Sequence, residues 1–187
     1  ILDVIYHADG GEVIFDGRPV AFKTPREAQE CGVGVVHQEI KLSGTLTVAE
    51  NIFLGNLLYK YRGKYVVDWK AMQRRARSML DELQMNDVDE NAVVDSLPIS
   101  KQQVVEICKT LNLNSKLLIL DEPSASLTEK EIEVLFRIVN QLKAQGITII
   151  YISHRMDEIF QLADEVTVLR DGKHVFTGGI DEVTRES

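Results

Sequence analysis

The chain has 187 residues, of which 44% are apolar and 27% charged, and a formal net charge of −8. This length can bury a substantial core, as one domain or as one domain with a subdomain. The acidic balance argues against nucleic-acid binding as the main task, because phosphate backbones are bound by Lys and Arg. The longest apolar stretches, such as 147–152, have the length of a strand, so the sequence predicts no membrane-spanning helix.

The cysteines and the first residues of the chain bear on its redox environment and its targeting. Cys31 and Cys108 lack metal-ligand spacing, and we expect buried or half-buried thiols of a reducing compartment, with a disulfide as the alternative. No basic start, apolar stretch and cleavage site indicate secretion. Residues 1–6 are typical of the tail of an apolar helix that has no cap, so we expect a further segment upstream.

The first part of the chain predicts a hairpin, a short helix and a buried strand. Residues 12–15 and 19–22 flank an Asp-Gly turn, as in a β-hairpin. Thr24 is placed to cap a helix over 25–30, which has proline in its first turn. The apolar stretch 32–38 then predicts a strand.

The middle of the chain predicts helices. Thr47 and Glu50 form a capping box, and Asp68 is placed to cap a long amphipathic helix. Ser100 and Gln103 fit an S-x-x-Q capping box at the start of another helix.

The last part of the chain alternates strands and helices. The predicted order is a strand at 117–120, a helix at 129–145, a strand at 147–152, a helix at 156–163 and a hairpin at 164–177. Alternation of this kind predicts an α/β fold, with a parallel sheet flanked by helices. We expect residues 1–44 and 115–187 to form the core that contains this sheet, and residues 45–114 to form an inserted α-helical subdomain.

Two acids follow the buried strand directly. Asp121 and Glu122 stand between the apolar run and Pro123, which has no backbone N–H. Ligands of open α/β sheets bind at the carboxyl ends of the strands, and Mg²⁺ prefers one or two carboxylates together with phosphate oxygens. Asp121 is therefore placed to face Mg²⁺ and Glu122 to face a water molecule. The alternative is a strand end that carries two solvated acids.

Polar side chains also follow the other two strands, at Gln38 and His154. Taken alone, each is more typical of a structural residue. Together with the acids they supply what phosphoryl transfer to water requires, namely metal ligands, a group that orients water and a donor to the γ-phosphate.

These motifs closely resemble the nucleotide-binding domain of ABC transporters, in particular the first such domain of bacterial simple-sugar importers. The match runs through GEVIFDG, GVGVVHQE, LTVAENIFLG, LPISKQQVVEICKTL, LLILDEPSASLT and IIYISHRMDEIFQLADEVTVLRDG. The resemblance implies a P-loop NTPase-like fold, with a mostly parallel sheet flanked by helices, an inserted α-helical subdomain and peripheral β-hairpins.

The resemblance also implies roles in binding and hydrolysing ATP with Mg²⁺. Asp121 would be the acid on the Mg²⁺ side, and Glu122 the general base for the attacking water. His154 would be the switch histidine that contacts the γ-phosphate. Gln38 would contact both metal and water and respond to the membrane subunits.

A second set of residues is implied to bind nucleotide across a dimer interface. The family pairs two ATPase domains head to tail, or as tandem copies in one chain, with ATP between them. Ser126 and Thr128 belong to the loop that crosses the interface. Ser100, Lys101 and Gln102 belong to the signature segment, whose helix start faces the ATP of the partner domain.

The sequence departs from the family pattern in two places. The phosphate-binding loop G-x-x-x-x-G-K-[ST] is absent, and in the family it lies just before the position of Ile1, so we expect a truncation and weak ATP binding by these residues alone. The signature segment, usually similar to Leu-Ser-Gly-Gly-Gln, here runs from Leu97 to Lys101. Pro98 supplies neither hydroxyl nor N–H, although Lys101 adds positive charge, so we expect a weakened half-site.

The main hypothesis is the ATP-hydrolysing subunit of a simple-sugar importer, peripheral at the cytoplasmic face of the membrane. Its partners would be a second ATPase domain, transmembrane permease subunits and, indirectly, a periplasmic sugar-binding protein. The alternative is a non-catalytic ABC domain that dimerises and transmits motion without hydrolysing ATP. Soluble ABC proteins of DNA repair or translation are disfavoured by the acidic charge and by VAENIFLG.

The remaining histidines and one aromatic stretch have structural interpretations. We assign His7, His37 and His174 to structure or surface. The aromatic and basic residues 59–65 indicate a solvated loop more than a binding patch, in a region expected to approach membrane subunits.

Overall fold

Three parallel strands, in the order β3-β4-β5, form the central sheet of the protein. The computed structural model describes residues 10–61 and 65–183. The elements in chain order are β1 (Val13–Phe15), β2 (Arg18–Val20), α1 (Pro25–Cys31), β3 (Val33–Val36), α2 (Val48–Ile52), α3 (Trp69–Glu82), a 3₁₀ turn (Val94–Ser96), α4 (Ile99–Leu111), β4 (Leu117–Asp121), α5 (Glu129–Ala144), β5 (Thr148–Ile152), α6 (Met156–Leu162), β6 (Glu165–Arg170), β7 (Lys173–Gly179) and a second 3₁₀ turn (Ile180–Glu182).

The middle strand, β4, is buried on both faces. Leu118 and Leu120 lie in the larger core, whereas Leu117 and Ile119 lie in a smaller core on the other face. A parallel strand covered on both faces needs a continuous apolar sequence, which β4 has up to Asp121. The predicted α/β fold with a parallel sheet is therefore confirmed.

The larger core joins the helices of the middle segment to the sheet. Helices α2, α3, α4 and α5 contribute to one cluster with β3 and β4, and its fully buried side chains include Ile52, Phe53, Met72, Leu80, Val36, Ile107, Leu118, Leu120, Ile138 and Leu142. Burial of a Leu, Ile, Met or Phe side chain contributes about 1.5–3 kcal/mol. Apolar burial therefore holds the central helices against the sheet.

Both predicted hairpins are present. Strands β1 and β2 pair antiparallel around Asp16 and Gly17, and β6 pairs antiparallel with β7. The Lys116 ammonium lies 2.7 Å from the Asp16 carboxylate, which links the first hairpin to the start of β4.

The local sequence signals for three helix starts are confirmed. Thr24 accepts a hydrogen bond from the Glu27 N–H, Thr47 and Glu50 form a reciprocal capping box, and Asp68 caps α3. Each cap satisfies backbone donors that the first turn of a helix leaves unpaired.

The predicted capping box of Ser100 and Gln103 is wrong. Helix α4 begins at Ile99, so Ser100 lies inside the first turn and Pro98 occupies the N-cap position. The Gln103 amide donates to the Pro123 carbonyl, and the Ser100 hydroxyl bonds to Glu131. Tertiary partners therefore take both side chains that a local cap would have used.

The prediction for the cysteines is half correct. Cys108 is fully buried in the core, but Cys31 is exposed at the end of α1, and neither forms a disulfide. Thr24 and Gly32 fix the ends of α1, and the last residue of this short helix faces solvent.

Some predictions fall on residues that the structure does not describe. The helix tail at 1–6 and His7 lie outside the described residues, as do residues 62–64 of the aromatic and basic stretch. The described aromatic residues of that stretch, Tyr59, Tyr61 and Tyr65, are exposed, as expected of a solvated loop. Across 10–61 and 65–183, no helix combines the length and apolarity required to cross a membrane.

The two thiols should differ sharply in reactivity. Burial raises the pKa of the Cys108 thiol to about 12, so almost none of it is thiolate at pH 8. We expect iodoacetamide to modify Cys31 in the native protein and Cys108 only after denaturation, as measured by mass spectrometry of the two peptides. Cys31→Ser is the matched control, and modification of native Cys108 at the rate of Cys31 would contradict the buried position.

The N-cap of α4 offers a second prediction. A hydroxyl at position 98 could accept a hydrogen bond from the N–H of Ser100 or Lys101, an interaction of about 0.5–2 kcal/mol at an N-cap. We expect Pro98→Ser to slow hydrogen exchange in this turn by roughly 2- to 30-fold. Pro98→Ala, which supplies no acceptor, should not slow it, and equal effects of both variants would show that capping is not the cause.

Candidate nucleotide site

The carboxyl ends of the three parallel strands lie at one edge of the sheet. Val36 pairs in register with Leu120, which pairs with Tyr151, and Asp121 pairs with Ile152. The residues that follow each strand, including the predicted site residues, are therefore delivered to the same edge.

Glu122 is held in a tight turn directly after β4. Its N–H donates to the Ile152 carbonyl at 3.0 Å, and its carbonyl accepts from the Ala125 N–H at 3.2 Å. Its φ of 45° lies in the left-handed region, which costs a residue other than glycine roughly 1–2 kcal/mol. Residues held in such conformations cluster at functional sites, where the surrounding structure maintains them.

Glu122 contacts His154, which follows β5. His154 Nδ1 lies 3.2 Å from Glu122 Oε1, and the two side chains are 72% and 33% exposed, respectively. The pair therefore lies where solvent or a ligand can approach it. The structure thus brings together two of the three residues that the sequence predicts to be catalytic.

A buried acid that the sequence interpretation missed supports the His154 segment. Glu158 of α6 is 2% exposed. Its Oε2 accepts hydrogen bonds from the hydroxyls of Tyr151 and Ser153, each at 2.9 Å, and its Oε1 lies 3.0 Å from the Arg155 guanidinium. These three partners precede and follow His154, so Glu158 fixes the chain on both sides of the imidazole.

The environment of Tyr151 reflects the same network. Burial raises the pKa of the Tyr151 hydroxyl well above its usual range, and its hydrogen bond to Glu158 raises it further. Tyr151 therefore stays neutral and acts as a donor.

The sequence signal that could have indicated the burial of Glu158 is its spacing of four residues from Leu162, because these two residues form the buried face of α6.

Asp121 and Gln38 lie at the carboxyl ends of neighbouring strands. Asp121 is the half-buried last residue of β4, and Gln38 is exposed two residues after the end of β3. Within 10–61 and 65–183, no hydrogen bond joins Gln38 to Asp121, Glu122 or His154. The carboxylate oxygens of Asp121 and the amide oxygen of Gln38 fit a hard cation that takes its remaining ligands from phosphate and water. The described residues contain no cluster of three or more His, Cys, Asp and Glu side chains that could hold a metal by themselves.

The signature residues at the start of α4 form a separate group. Lys101 pairs with the Asp87 carboxylate at 2.8 Å, and the Gln102 amide donates to the Leu97 carbonyl at 2.9 Å. The hydrogen bond from Lys101 lowers the pKa of the Asp87 carboxyl. The positive charge expected to compensate for Pro98 is thus already paired within the chain.

The two predicted interface segments meet at Glu131. Its carboxylate accepts from the N–H and hydroxyl of Thr128, at 2.9 and 2.7 Å, and from the Ser100 hydroxyl. These hydrogen bonds, led by that of Ser100, lower the pKa of Glu131. Ser126, two residues before Thr128, is exposed. The buried Gln103 connects this group to the turn after Glu122 through Pro123.

Known proteins match both the sequence and the fold of this chain. A galactose/methyl galactoside import ATP-binding protein of Haemophilus influenzae is 47% identical over 182 residues, covering 97% of this chain and 35% of that protein. A ribose import ATP-binding protein of Geobacillus kaustophilus is 44% identical, with 97% and 36% covered. The chain therefore spans about a third of the length of these relatives.

Solved structures match over nearly the whole chain. The ADP conformation of an ATP-binding cassette of an ABC transporter superposes with a TM-score of 0.81 at 25% identity, covering 95% of this chain and 72% of that one. A nucleotide-free ATP-binding cassette from an ABC transporter gives 0.79 at 25% identity, with 95% and 74% covered. The fold is thus that of the P-loop ATP-binding cassettes. The ABC transporter family model matches residues 1–125, and the chain belongs to the ABC transporter family.

Proposed function

We propose that this chain forms part of the ATP-hydrolysing subunit of an importer for a simple sugar of the galactose or ribose class. The observation that carries this proposal is the contact between Glu122 and His154 at the carboxyl edge of the parallel sheet. Family membership and the names of the sugar-import relatives support it. The chain spans about a third of the length of these relatives, so the proposal concerns the activity of the whole protein.

Glu122 is the proposed general base. His154 contacts Oε1 of Glu122, which leaves Oε2 of Glu122 to orient a water molecule. This oxygen would accept a proton from the water as the water attacks the γ-phosphate. An imidazolium donates from both ring nitrogens, so a protonated His154 can bind Glu122 through Nδ1 and a γ-phosphate oxygen through Nε2. The turn that fixes the Glu122 backbone and the Glu158 network that fixes the His154 segment hold the pair in place.

Asp121 and Gln38 are the proposed protein ligands of Mg²⁺. When bound, the ion would neutralise charge on the phosphates of ATP. Asp121 would supply a carboxylate from the end of a buried strand, and Gln38 would supply an uncharged amide oxygen from the segment that follows the neighbouring strand.

The remaining predicted residues are proposed to face a second ATPase domain. Ser126 and Thr128 lie in an exposed segment, and Ser100, Lys101 and Gln102 lie at the start of α4. A head-to-tail partner would place its ATP against this start, where unpaired N–H groups favour an anion. Permease subunits, and through them a periplasmic sugar-binding protein, would be the further partners at the cytoplasmic face of the membrane.

A non-catalytic ABC domain is the second candidate function. Pro98 supplies no donor at the start of α4, and Lys101 is held by Asp87. Both observations favour a signature segment that contributes little to the ATP of a partner. The Glu122–His154 pair favours the hydrolytic function, since a purely structural domain has no use for it.

Glu122→Gln tests the hydrolytic function. We expect ATP hydrolysis by the complete protein to fall by about 10²- to 10⁴-fold, because the amide cannot accept a proton, while ATP binding persists. The measurements are phosphate release and equilibrium binding of a fluorescent ATP analogue. Glu133→Gln, which neutralises an exposed acid of α5, is the matched control. Hydrolysis by Glu122→Gln at the wild-type rate would remove Glu122 from this role.

Glu158→Gln tests the support of His154. The substitution removes the negative charge that pairs with Arg155 and replaces one carboxylate oxygen with an NH₂ group, which cannot accept a hydrogen bond. We expect kcat to fall by about tenfold or more with little change in KM for ATP, since small displacements of a catalytic group are costly. Glu165→Gln, at an exposed position of β6, should leave both constants unchanged. A proportional loss of folded protein with normal kcat per folded molecule would indicate a structural role alone.

A further inference from the structure

Four of the six tyrosine and tryptophan residues of the chain lie between positions 59 and 69. They are Tyr59, Tyr61, Tyr65 and Trp69, and all four are exposed, Tyr65 at 92% and Trp69 at 52%. Single exposed rings need no explanation, but several in one part of a surface are typical of a contact with another molecule or a membrane. Their exposure fits a solvated loop, whereas their concentration in one short stretch indicates a contact surface.

Backbone pairing holds these rings at the start of α3. Tyr59 and Val67 form an antiparallel bridge. The Lys60 N–H donates to the Val66 carbonyl at 3.0 Å. Helix α3 begins at Trp69, two residues after Val67. The paired segments and the first turn of α3 therefore lie together.

Three basic side chains accompany the rings. Lys60 lies between two of the tyrosines, and Lys70 and Arg74 lie four residues apart on the exposed side of α3. None of the three forms an ion pair with a residue that the structure describes, whereas Arg77 of the same helix pairs with Asp81 at 2.8 Å. Their charges are therefore available to a partner.

The charge of this region is opposite in sign to that of the whole chain. Within 57–61 and 65–75, four basic residues accompany a single acid, Asp68, although the chain has a net charge of −8. The Asp68 carboxylate caps α3 by accepting from the Ala71 N–H at 3.0 Å. An anionic surface repels the chain as a whole and attracts this region. Charge complementarity therefore favours an anionic partner.

The combination of residue types favours a lipid surface. Tyr and Trp are enriched at the boundary between headgroups and hydrocarbon, where the ring has apolar surroundings and its polar atom is hydrated. Lys and Arg are attracted to anionic headgroups. Such binding requires rings and positive charge on one exposed surface, and no groove that matches a particular protein.

We infer that an aromatic-basic patch at the start of α3 binds the headgroup region of an anionic lipid bilayer directly. The patch consists of the three basic residues Lys60, Lys70 and Arg74 and the four aromatic residues Tyr59, Tyr61, Tyr65 and Trp69. Its basic residues pair with lipid phosphates, and its rings enter the interface. This contact goes beyond the proposed function, in which permease subunits bring the protein to the membrane, and it does not depend on ATP hydrolysis.

Sedimentation of the complete protein with lipid vesicles tests the role of charge. We expect binding to phosphatidylcholine vesicles that contain about one third phosphatidylglycerol, little binding to phosphatidylcholine alone, and weaker binding at high salt. A basic side chain near an anionic surface contributes about fivefold to affinity, so Lys60→Gln/Lys70→Gln/Arg74→Gln should bind roughly 100-fold more weakly.

The matched control is Lys23→Gln/Lys130→Gln/Lys173→Gln, which removes the same charge from exposed positions elsewhere. This variant should bind nearly as well as the wild-type protein. Equal losses in the two triple variants would overturn the inference, as would failure of the wild-type protein to bind anionic vesicles.

Trp69 fluorescence tests the role of the rings. It is the single tryptophan of these 187 residues, and the difference between the wild type and Trp69→Phe isolates its emission in the complete protein. We expect this emission to shift to shorter wavelength on anionic vesicles and to be quenched by lipid brominated on its acyl chains, because the ring enters the interface. Vesicle binding without quenching of Trp69 would place the contact elsewhere and overturn the inference.

A cytoplasmic loop of a permease is the alternative partner of the patch. Vesicles with and without the permease subunits, made of the same lipids, distinguish the two partners. Binding that requires the permease and is lost in Lys60→Gln/Lys70→Gln/Arg74→Gln would assign the patch to a protein and overturn the lipid contact. Absence of ATP hydrolysis in the wild-type protein would instead refute the proposed function alone, since none of the vesicle measurements requires turnover.

Discussion

The parallel register of three strands is the constraint on which the site depends. Alignment of Val36, Leu120 and Tyr151 delivers the residues beyond each strand to one edge of the sheet. A slip of β4 by one residue would exchange its two faces and move Leu118 and Leu120 out of the larger core. The same apolar contacts that stabilise the fold therefore bring Glu122 to His154.

Local signals in the sequence predict much of this fold, and distant contacts account for the errors. The caps at Thr47 and Asp68 depend on groups three residues away, so the sequence pattern contains both partners. The capping box proposed for Ser100 and Gln103 fails because Glu131 and Pro123, which lie far along the chain, bind these side chains instead. No local pattern reveals such competition.

The residues of the candidate site were likewise predicted only in part. An apolar run that ends in Asp121 and Glu122 is enough to predict acids at a sheet edge, and the structure places them there. Glu158 was missed because acids within helices are ordinarily solvated. Its partners are Tyr151 of the preceding strand, Ser153 of the connecting turn and Arg155 at the N-cap of α6, and no helical pattern indicates that these three groups surround it. The specific roles of Gln38 and His154 come from family resemblance, since geometry alone identifies an acid beside an imidazole.

The left-handed backbone at Glu122 has a consequence for engineering. Glycine or asparagine would adopt this conformation more readily, so a screen that rewards heat resistance alone would drive the position toward these residues. Each variant selected in this way would be more stable but would lack a carboxylate beside the His154 imidazole. Libraries designed to stabilise this protein should therefore keep Glu122 constant and vary other positions of the chain.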